Sequence, residues 1–273
     1  MTAAGRHLRG RGVAFLLGKP AERSPVLPDV VTALQEVGAS VVVHVPRPGE
    51  DLRALPGVLE ADVIALRGLG RAILREAVVA LEGTGHHRCC NRPSAALAAL
   101  DRPRLLMILA DAGVPVPDSE VATDWQGVLA RSGSPIVAKA VDAMAGRGAG
   151  VVVAANGALP TTAPFAGPYL VQEYVAGDGA DRKLYVVGER TAALRKPRPR
   201  DRGPARVFDP SPMLVGIARE AAAATGLELC GIDLIEGPDG PVVVDVNAFP
   251  SCKDLPNGAR WIGAHLANLA MAG

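Results

Sequence analysis

From Val13 to about Asn91, short β-branched runs alternate with amphipathic stretches in the order GVAFLL, PDVVTALQEVG, SVVVHV, ADVIAL and LGRAILREAVVALEG. Strand-length apolar runs separated by segments of helical period predict βαβ units around a parallel sheet. In the first helical stretch Leu27, Val30, Val31, Leu34 and Val37 share a face, and Gly38 is placed to stop it. The opening strand runs into Leu17, Gly18, Lys19 and Pro20 without a GxGxxG turn, which disfavours a dinucleotide site there. Residues 1–95 are expected to form one domain.

Beyond Asn91 the pattern changes. NRPSAALAALDRPRLLMILADAGVPVP reads as a helix pair ending at Gly113, with Pro115 and Pro117 blocking continuation. SPIVAKA and VVVAA are strands on either side of the glycine-rich DAMAGRGAG, and PYLVQEYV and RKLYVVG are strands joined by AGDGAD. PMLVGIAREAAAATG is a helix stopped by Gly226, and LCGIDLIEGPDGPVVVDVN reads as a hairpin. Residues 96–273 are thus a second domain of mostly antiparallel strands with attached helices, divided at about 96–167 and 168–273. The fold class is α/β with α+β, and no internal repeat is present.

Composition narrows the partner. In 273 residues, 49% hydrophobic, Lys and Arg number 29 against 28 for Asp and Glu. A net charge of +1 excludes the basic surface that duplex nucleic acid demands, and 3% aromatics removes the stacking platforms of single-strand binders. Cys89, Cys90, Cys230 and Cys252 have neither CxxC spacing nor the density of a disulfide scaffold, so they read as reduced thiols of the cytoplasm. No apolar run approaches the roughly 20 residues that span a bilayer. The opening MTAAGRHLRGRG carries Arg6, Arg9 and Arg11 without a signal-type apolar region behind them. The expectation is a soluble, unsecreted protein with a small-molecule partner.

The hairpin carries the chemistry. Gly237-Pro238-Asp239-Gly240 fits a type I turn followed by a left-handed glycine, a three-residue loop with a G1 bulge. Such a loop pairs Gly237 with Pro241 and, counted outward, sets Asp233 opposite Asp245 with Cβ atoms about 5 Å apart. Asn247 shares their face. Two carboxylates and an amide oxygen among Val, Ile and Leu are costly without a cation, and an oxygen-only donor set suits Mg²⁺. The competing reading makes them solvated acids on an outer face, with Val244 and Val246 filling the core from the other side.

Lys139 ends SPIVAKA, with Ile136 and Ala138 on the opposite face, and DAMAGRGAG follows within three residues. A cation beside a loop whose backbone N–H groups approach closely suits phosphate, although the loop is not a GxxxxGK[ST] motif. Lys183 is a second candidate, on the strand face of Tyr185. Arg195, Lys196, Arg198, Arg200, Arg202 and Arg206 enclose one acid, Asp201, in a segment kept extended by Pro197, Pro199 and Pro204. It reads either as a solvated loop or as an anion-binding lip. His86 and His87 have no partner at ligand spacing, and Cys252, with no evident base, reads as a spectator thiol.

Taken together, DRPRLLMILADAGVPVP, PIVAKA with its glycine loop, LVQEYV, DRKLYVVG and GIDLI through DVNAFPS resemble the ATP-grasp superfamily over nearly the full length. The resemblance implies a Rossmann-like lead domain and two subdomains that clamp ATP. It implies Asp233, Asp245 and Asn247 as Mg²⁺ ligands, with Mn²⁺ an alternative, and Lys139 and Arg102 as phosphate contacts. Gly146 and Gly148 fall in the glycine loop, Glu173, Tyr174 and Val175 in the adenine hinge, and Lys183 among the nucleotide contacts. Arg102 stands where many such ligases have lysine. Two branches compete. RimK-like carboxylate-amine ligases share the GAGVVVA run, and inositol polyphosphate kinases share Asp101-Arg102, KLYVVG and DVNAFPS. The kinases' histidines are replaced here by Gly148 to Gly150 and by Gly177, while the Asn-bearing substrate loop of the ligases is replaced by the basic segment. We favour the ligase branch, which implies small-molecule or peptide carboxylate and amine substrates, with Arg195 stabilising the transferring group or the tetrahedral oxyanion and Ser251 contacting substrate. A non-catalytic nucleotide sensor is the third reading.

Overall fold

The computed structural model describes residues 8–83, 88–144, 150–197 and 203–272. The alternating runs of the N-terminal third build a parallel sheet of order β2-β1-β3-β4 from β1 (Gly12–Leu17), β2 (Ser40–His44), β3 (Val63–Arg67) and β4 (Arg88–Cys90). Its connections carry α1 (Leu27–Glu36) and α2 (Arg71–Ala77), and α3 (Pro93–Ala98) follows the last strand. β1 is buried on both sides: Val13, Phe15 and Leu17 face α1, and Ala14 and Leu16 face α2 and α3. α1 begins with a proline in its first turn and gives way to Gly38 at φ +90°, as its spacing predicts. In the turn after β1 the backbones pack closely: a Cβ on Gly18 would lie 1.8 Å from the Gly68 carbonyl oxygen.

The rest of the chain forms two antiparallel sheets. After α4 (Arg102–Asp111), the strands β5 (Ser119–Ala122), β6 (Ile136–Ala140), β7 (Val151–Ala154) and β8 (Tyr169–Glu173) make a second sheet of order β5-β8-β6-β7, with the short α5 (Trp125–Leu129) against it. β9 (Ala180–Val187), β10 (Arg190–Pro197), β11 (Arg206–Phe208), β12 (Leu229–Gly237) and β13 (Gly240–Ala248) make the third, of order β11-β10-β9-β12-β13. Because β8 pairs with β5 and β6, sheet membership changes between Glu173 and Ala180 rather than at 168. Arg195 and Lys196 lie in a strand, not in a loop.

The third sheet has two unlike faces. Leu184, Val186, Ala193, Ile232, Leu234, Val243 and Val246 pack on α4 and on α6 (Pro212–Thr225). On the other face Tyr185, Val187 and Leu194 join the core that α1 shares with α7 (Gly258–Ala272). The terminal helix therefore packs on α1 of the N-terminal unit: Ile262, Leu266 and Leu269 join one core with Leu27, Val30 and Leu34. Asn91 fastens the two units at their seam. Its buried amide donates to the Leu229 carbonyl at 2.8 Å and accepts from the Leu229 N–H at 2.9 Å, while the same carbonyl also accepts from the Phe249 N–H at 2.8 Å.

Asn91→Ala strands the Leu229 N–H in the core, at about 1–3 kcal/mol, while the Leu229 carbonyl keeps the Phe249 N–H. Urea unfolding is expected to give a loss of about 1–3 kcal/mol; a negligible shift of the midpoint would refute this role.

Candidate functional site

Register across β9, β12 and β13 puts the hairpin acids together. Asp233 pairs with Asp245 on one side and Lys183 on the other, and Gly231 pairs with Asn247 and Tyr185. Opposed residues share a face, so Lys183, Asp233, Asp245 and Asn247 line one surface. Lys183 Nζ donates to both Asp233 oxygens at 2.8 Å, and Asn247 Nδ2 donates to Asp233 Oδ2 at 3.1 Å. Gly231 matters here because a Cβ would come within 3.1 Å of Lys183 Cε.

The acids oppose each other by a different route from the one the turn sequence predicts. Gly237 pairs with Gly240, closing a two-residue loop, and the extra residue enters between Val243 and Asp245. This bulge at Val244 restores the offset that a three-residue loop would have supplied. It also turns Val243, rather than Val244, into the core beside Val246. Lys139, from β6, donates to the Val244 carbonyl at 2.8 Å and so ties the second sheet to the bulge.

Arg102 opens α4, whose N-cap Asp101 accepts from the Arg104 N–H at 3.2 Å. Its Nη1 donates to the Ala140 carbonyl at 2.7 Å, and Nη2 stands 3.9 Å from Asp245 Oδ2. Burial lowers the Lys139 pKa, against the pull of Asp245. Burial likewise raises the Asp245 carboxyl, against Lys139 and Arg102. Among the described residues no three His, Cys, Asp or Glu side chains converge as a metal site. Two opposed carboxylates and an amide oxygen, one carboxylate resisting ionisation because it is buried, fit a hard divalent cation whose other ligands are water or phosphate.

The segment after β8 runs beside the hairpin. Glu173 N–H donates to the Asp118 carbonyl and Tyr174 N–H to the Pro135 carbonyl. Val175 lies against the hairpin turn, where a Cβ on Gly237 would be 2.8 Å from Val175 Cγ1. Gln172, which sequence reasoning passed over, is buried on the β8 face that Lys139 shares and donates to Ser119 Oγ at 3.2 Å. Its place directly after the apolar run Tyr169 to Val171 was the available signal.

Arg195 is not presented to the acids. It pairs with Arg182, and Arg182 with Leu234, which puts Arg195 on the opposite face of the sheet. There Arg195 Nη2 binds Asp178 Oδ2 at 3.0 Å. The neighbouring Lys196 is on the acid-bearing face, paired with Asp181 and 3.7 Å from Asp254 Oδ2. A side-chain period of two separates these residues, and the charge run alone does not reveal which one points inward. Ser251 is half-buried in the segment that carries Asp254. Cys252 is buried with its thiol pushed up to about 12, which leaves it inert. Gly146, Gly148, His86, His87, Arg198, Arg200 and Arg202 lie outside the described residues.

Comparison with known proteins adds four findings. A family model described as the RimK-like ATP-grasp domain matches residues 99–267. A probable alpha-L-glutamate ligase of Xanthomonas campestris pv. campestris is 28% identical over 225 residues, 76% of this chain and 75% of that protein. The structure of a RimK domain ATP-grasp protein from Sphaerobacter thermophilus is similar with a TM-score of 0.70 at 20% identity, over 95% of this chain and 99% of that one. The ATP-grasp ligase PsnB, solved with a minimal precursor, Mg and ADP, is similar with a TM-score of 0.65 at 19% identity, over 95% and 98%.

A carboxyl whose pKa is raised on folding binds its proton more tightly in the folded state, so its ionisation at neutral pH weighs against folding. Asp245→Asn is expected to raise the thermal midpoint in EDTA and to cancel any rise that MgCl2 gives the parent protein. A lower midpoint in EDTA would mean that Lys139 and Arg102 outweigh burial.

Proposed function

The chain belongs to the RimK-like ATP-grasp family, and from that premise we propose that it is an ATP- and Mg²⁺-dependent carboxylate-amine ligase. The observation that carries this reading is the convergence of Lys139 and Arg102 from the second sheet and α4 on Asp233, Asp245, Asn247 and Lys183 of the third. Residues 1–95 act as the lead domain, and the remainder holds ATP between its two antiparallel sheets.

Lys139 and Arg102 hold the phosphates by charge, and Glu173, Tyr174 and Val175 take the adenine edge. A substrate carboxylate oxygen attacks the γ-phosphorus, ADP departs, and an acylphosphate is left. The amine nitrogen then attacks the acyl carbon, phosphate leaves, and the amine's surplus proton goes to phosphate or water. Mg²⁺ on Asp233, Asp245 and Asn247, for which Mn²⁺ is a fitting substitute, supplies positive charge to the phosphates. Lys196, rather than Arg195, faces the acceptor: its ammonium offsets charge on the acyl oxygen, and its contact with Asp254 orients it. The substrates are a small-molecule or peptide carboxylate and an amine. Glutamate heads the panel because the similar Xanthomonas protein is named for it, and a peptide acid is supported by the precursor bound to PsnB. No helix among the described residues is long and apolar enough to cross a membrane. The four buried free thiols suit the reducing cytoplasm.

Incubation with ATP, MgCl2, L-glutamate and a panel of acids and peptides is expected to yield ADP, phosphate and amide in equal amounts. A stable phosphorylated product without free phosphate would replace the ligase reading with a kinase, and ATP binding without turnover would replace it with a sensor. Lys196→Met is expected to lower kcat/KM for the acid by about 10²–10³, with Lys196→Arg recovering part of it. An unchanged value for Lys196→Met would remove the residue from the site.

A further inference from the structure

The linker between the second and third sheets is gripped by an ion network on the face turned away from the acids. Asp178, three residues past Val175, accepts from Arg182 through both oxygens, Nη1 to Oδ1 at 3.1 Å and Nη2 to Oδ2 at 2.8 Å. Arg195 adds a third bond, at 3.0 Å to Oδ2. Arg182 is nine-tenths buried, and its Nε reaches across to Glu236 Oε2 at 2.6 Å. Glu236 adjoins Gly237, the residue whose missing side chain lets Val175 touch the hairpin.

One guanidinium thus joins the linker to the hairpin at the level of the hinge, using three of its five donors on two carboxylates. The Arg182 bonds, with that of Arg195, hold the Asp178 carboxyl well below the ordinary carboxylate range, so the network keeps its charge through the acid range. Arg195 and Arg206 pair directly across β10 and β11, and like charges so placed repel. The arrangement is retained where Asp178 can take Arg195 as a partner.

We infer that Arg182, held by Asp178 and Glu236 and supported by Arg195, is a positioning residue that sets the adenine hinge against the hairpin and so tunes affinity for the base of the nucleotide. This rests on the nucleotide reading of the site and adds to it a part for Arg195 away from the chemistry. The network touches neither the phosphate cations nor the acids. It acts on adenine recognition and leaves triphosphate binding alone.

The test changes the exposed partners and keeps the buried Arg182. Asp178→Asn and Arg195→Met are compared with the parent protein by calorimetric binding of ATP and of inorganic tripolyphosphate, both with MgCl2, and by ATP kinetics. Asp178→Asn is expected to weaken ATP about tenfold, raise KM for ATP equally, leave kcat at saturating ATP within about twofold, and leave tripolyphosphate unaffected. Arg195→Met gives a smaller loss, and the double variant is no worse than Asp178→Asn, since both remove one network. Equal weakening of ATP and tripolyphosphate, or a fall in kcat at unchanged ATP affinity, would overturn the inference. ATP binding without amide formation by the parent protein would sink the ligase reading and leave this one standing, whereas no ATP binding by the parent would end both.

Discussion

Two carboxylates set against each other across adjacent strands are unfavourable unless cations surround them, and much of this molecule is arranged around that need. Asp233 and Asp245 face one another in the third sheet. Lys183 answers from the next strand, Lys139 from the second sheet and Arg102 from the start of α4. Because these cations come from parts of the chain far apart in sequence, balancing the acids also draws the two antiparallel sheets together. The same balance sets Lys139 and Arg102, from the second sheet and α4, against the acids and Lys183 of the third. Fold and function share one electrostatic constraint.

The bulge at Val244 shows how local backbone serves that constraint. An unbulged hairpin on the two-residue loop would set Asp233 opposite Val244 and turn Asp245 to the helical face. The inserted residue reverses this over the outer half of β13 and frees a carbonyl that Lys139 takes. One irregularity thus sets the register of the acids and fastens Lys139. The reverse face carries its own network, in which Asp178, Arg182 and Glu236 join the inter-sheet linker to the same hairpin.

Much of the architecture was legible. The βαβ alternation before Asn91, the helix pair ending at Gly113, the left-handed stop at Gly226 and the hairpin all follow from period, caps and turn residues, which act over a few positions. Short elements were harder to see. β5, β11 and α5 span four, three and five residues, too few for a period to declare itself. The neighbour of the terminal helix was not legible, since an amphipathic face reveals that it is buried but not what buries it. The opposition of Asp233 and Asp245 was anticipated through a turn that does not form, because a loop residue and a bulge residue shift the register equally.

By itself the sequence determined the succession of strands and helices, the family resemblance and the residue types of the site: Lys139, Lys183, Asp233, Asp245 and Asn247 stand in strands whose alternation gives each a face. Only the tertiary structure decided which faces meet. It turned Arg195 away from the acids and Lys196 toward them, although the two are adjacent and both cationic. It placed Arg102 beside Asp245 and closed the hinge on Gly237. Alternation is local, repeating every two residues, and can be counted along the chain. Which side of a sheet becomes cleft and which becomes core depends on packing between segments a hundred residues apart, and no short-range pattern records it.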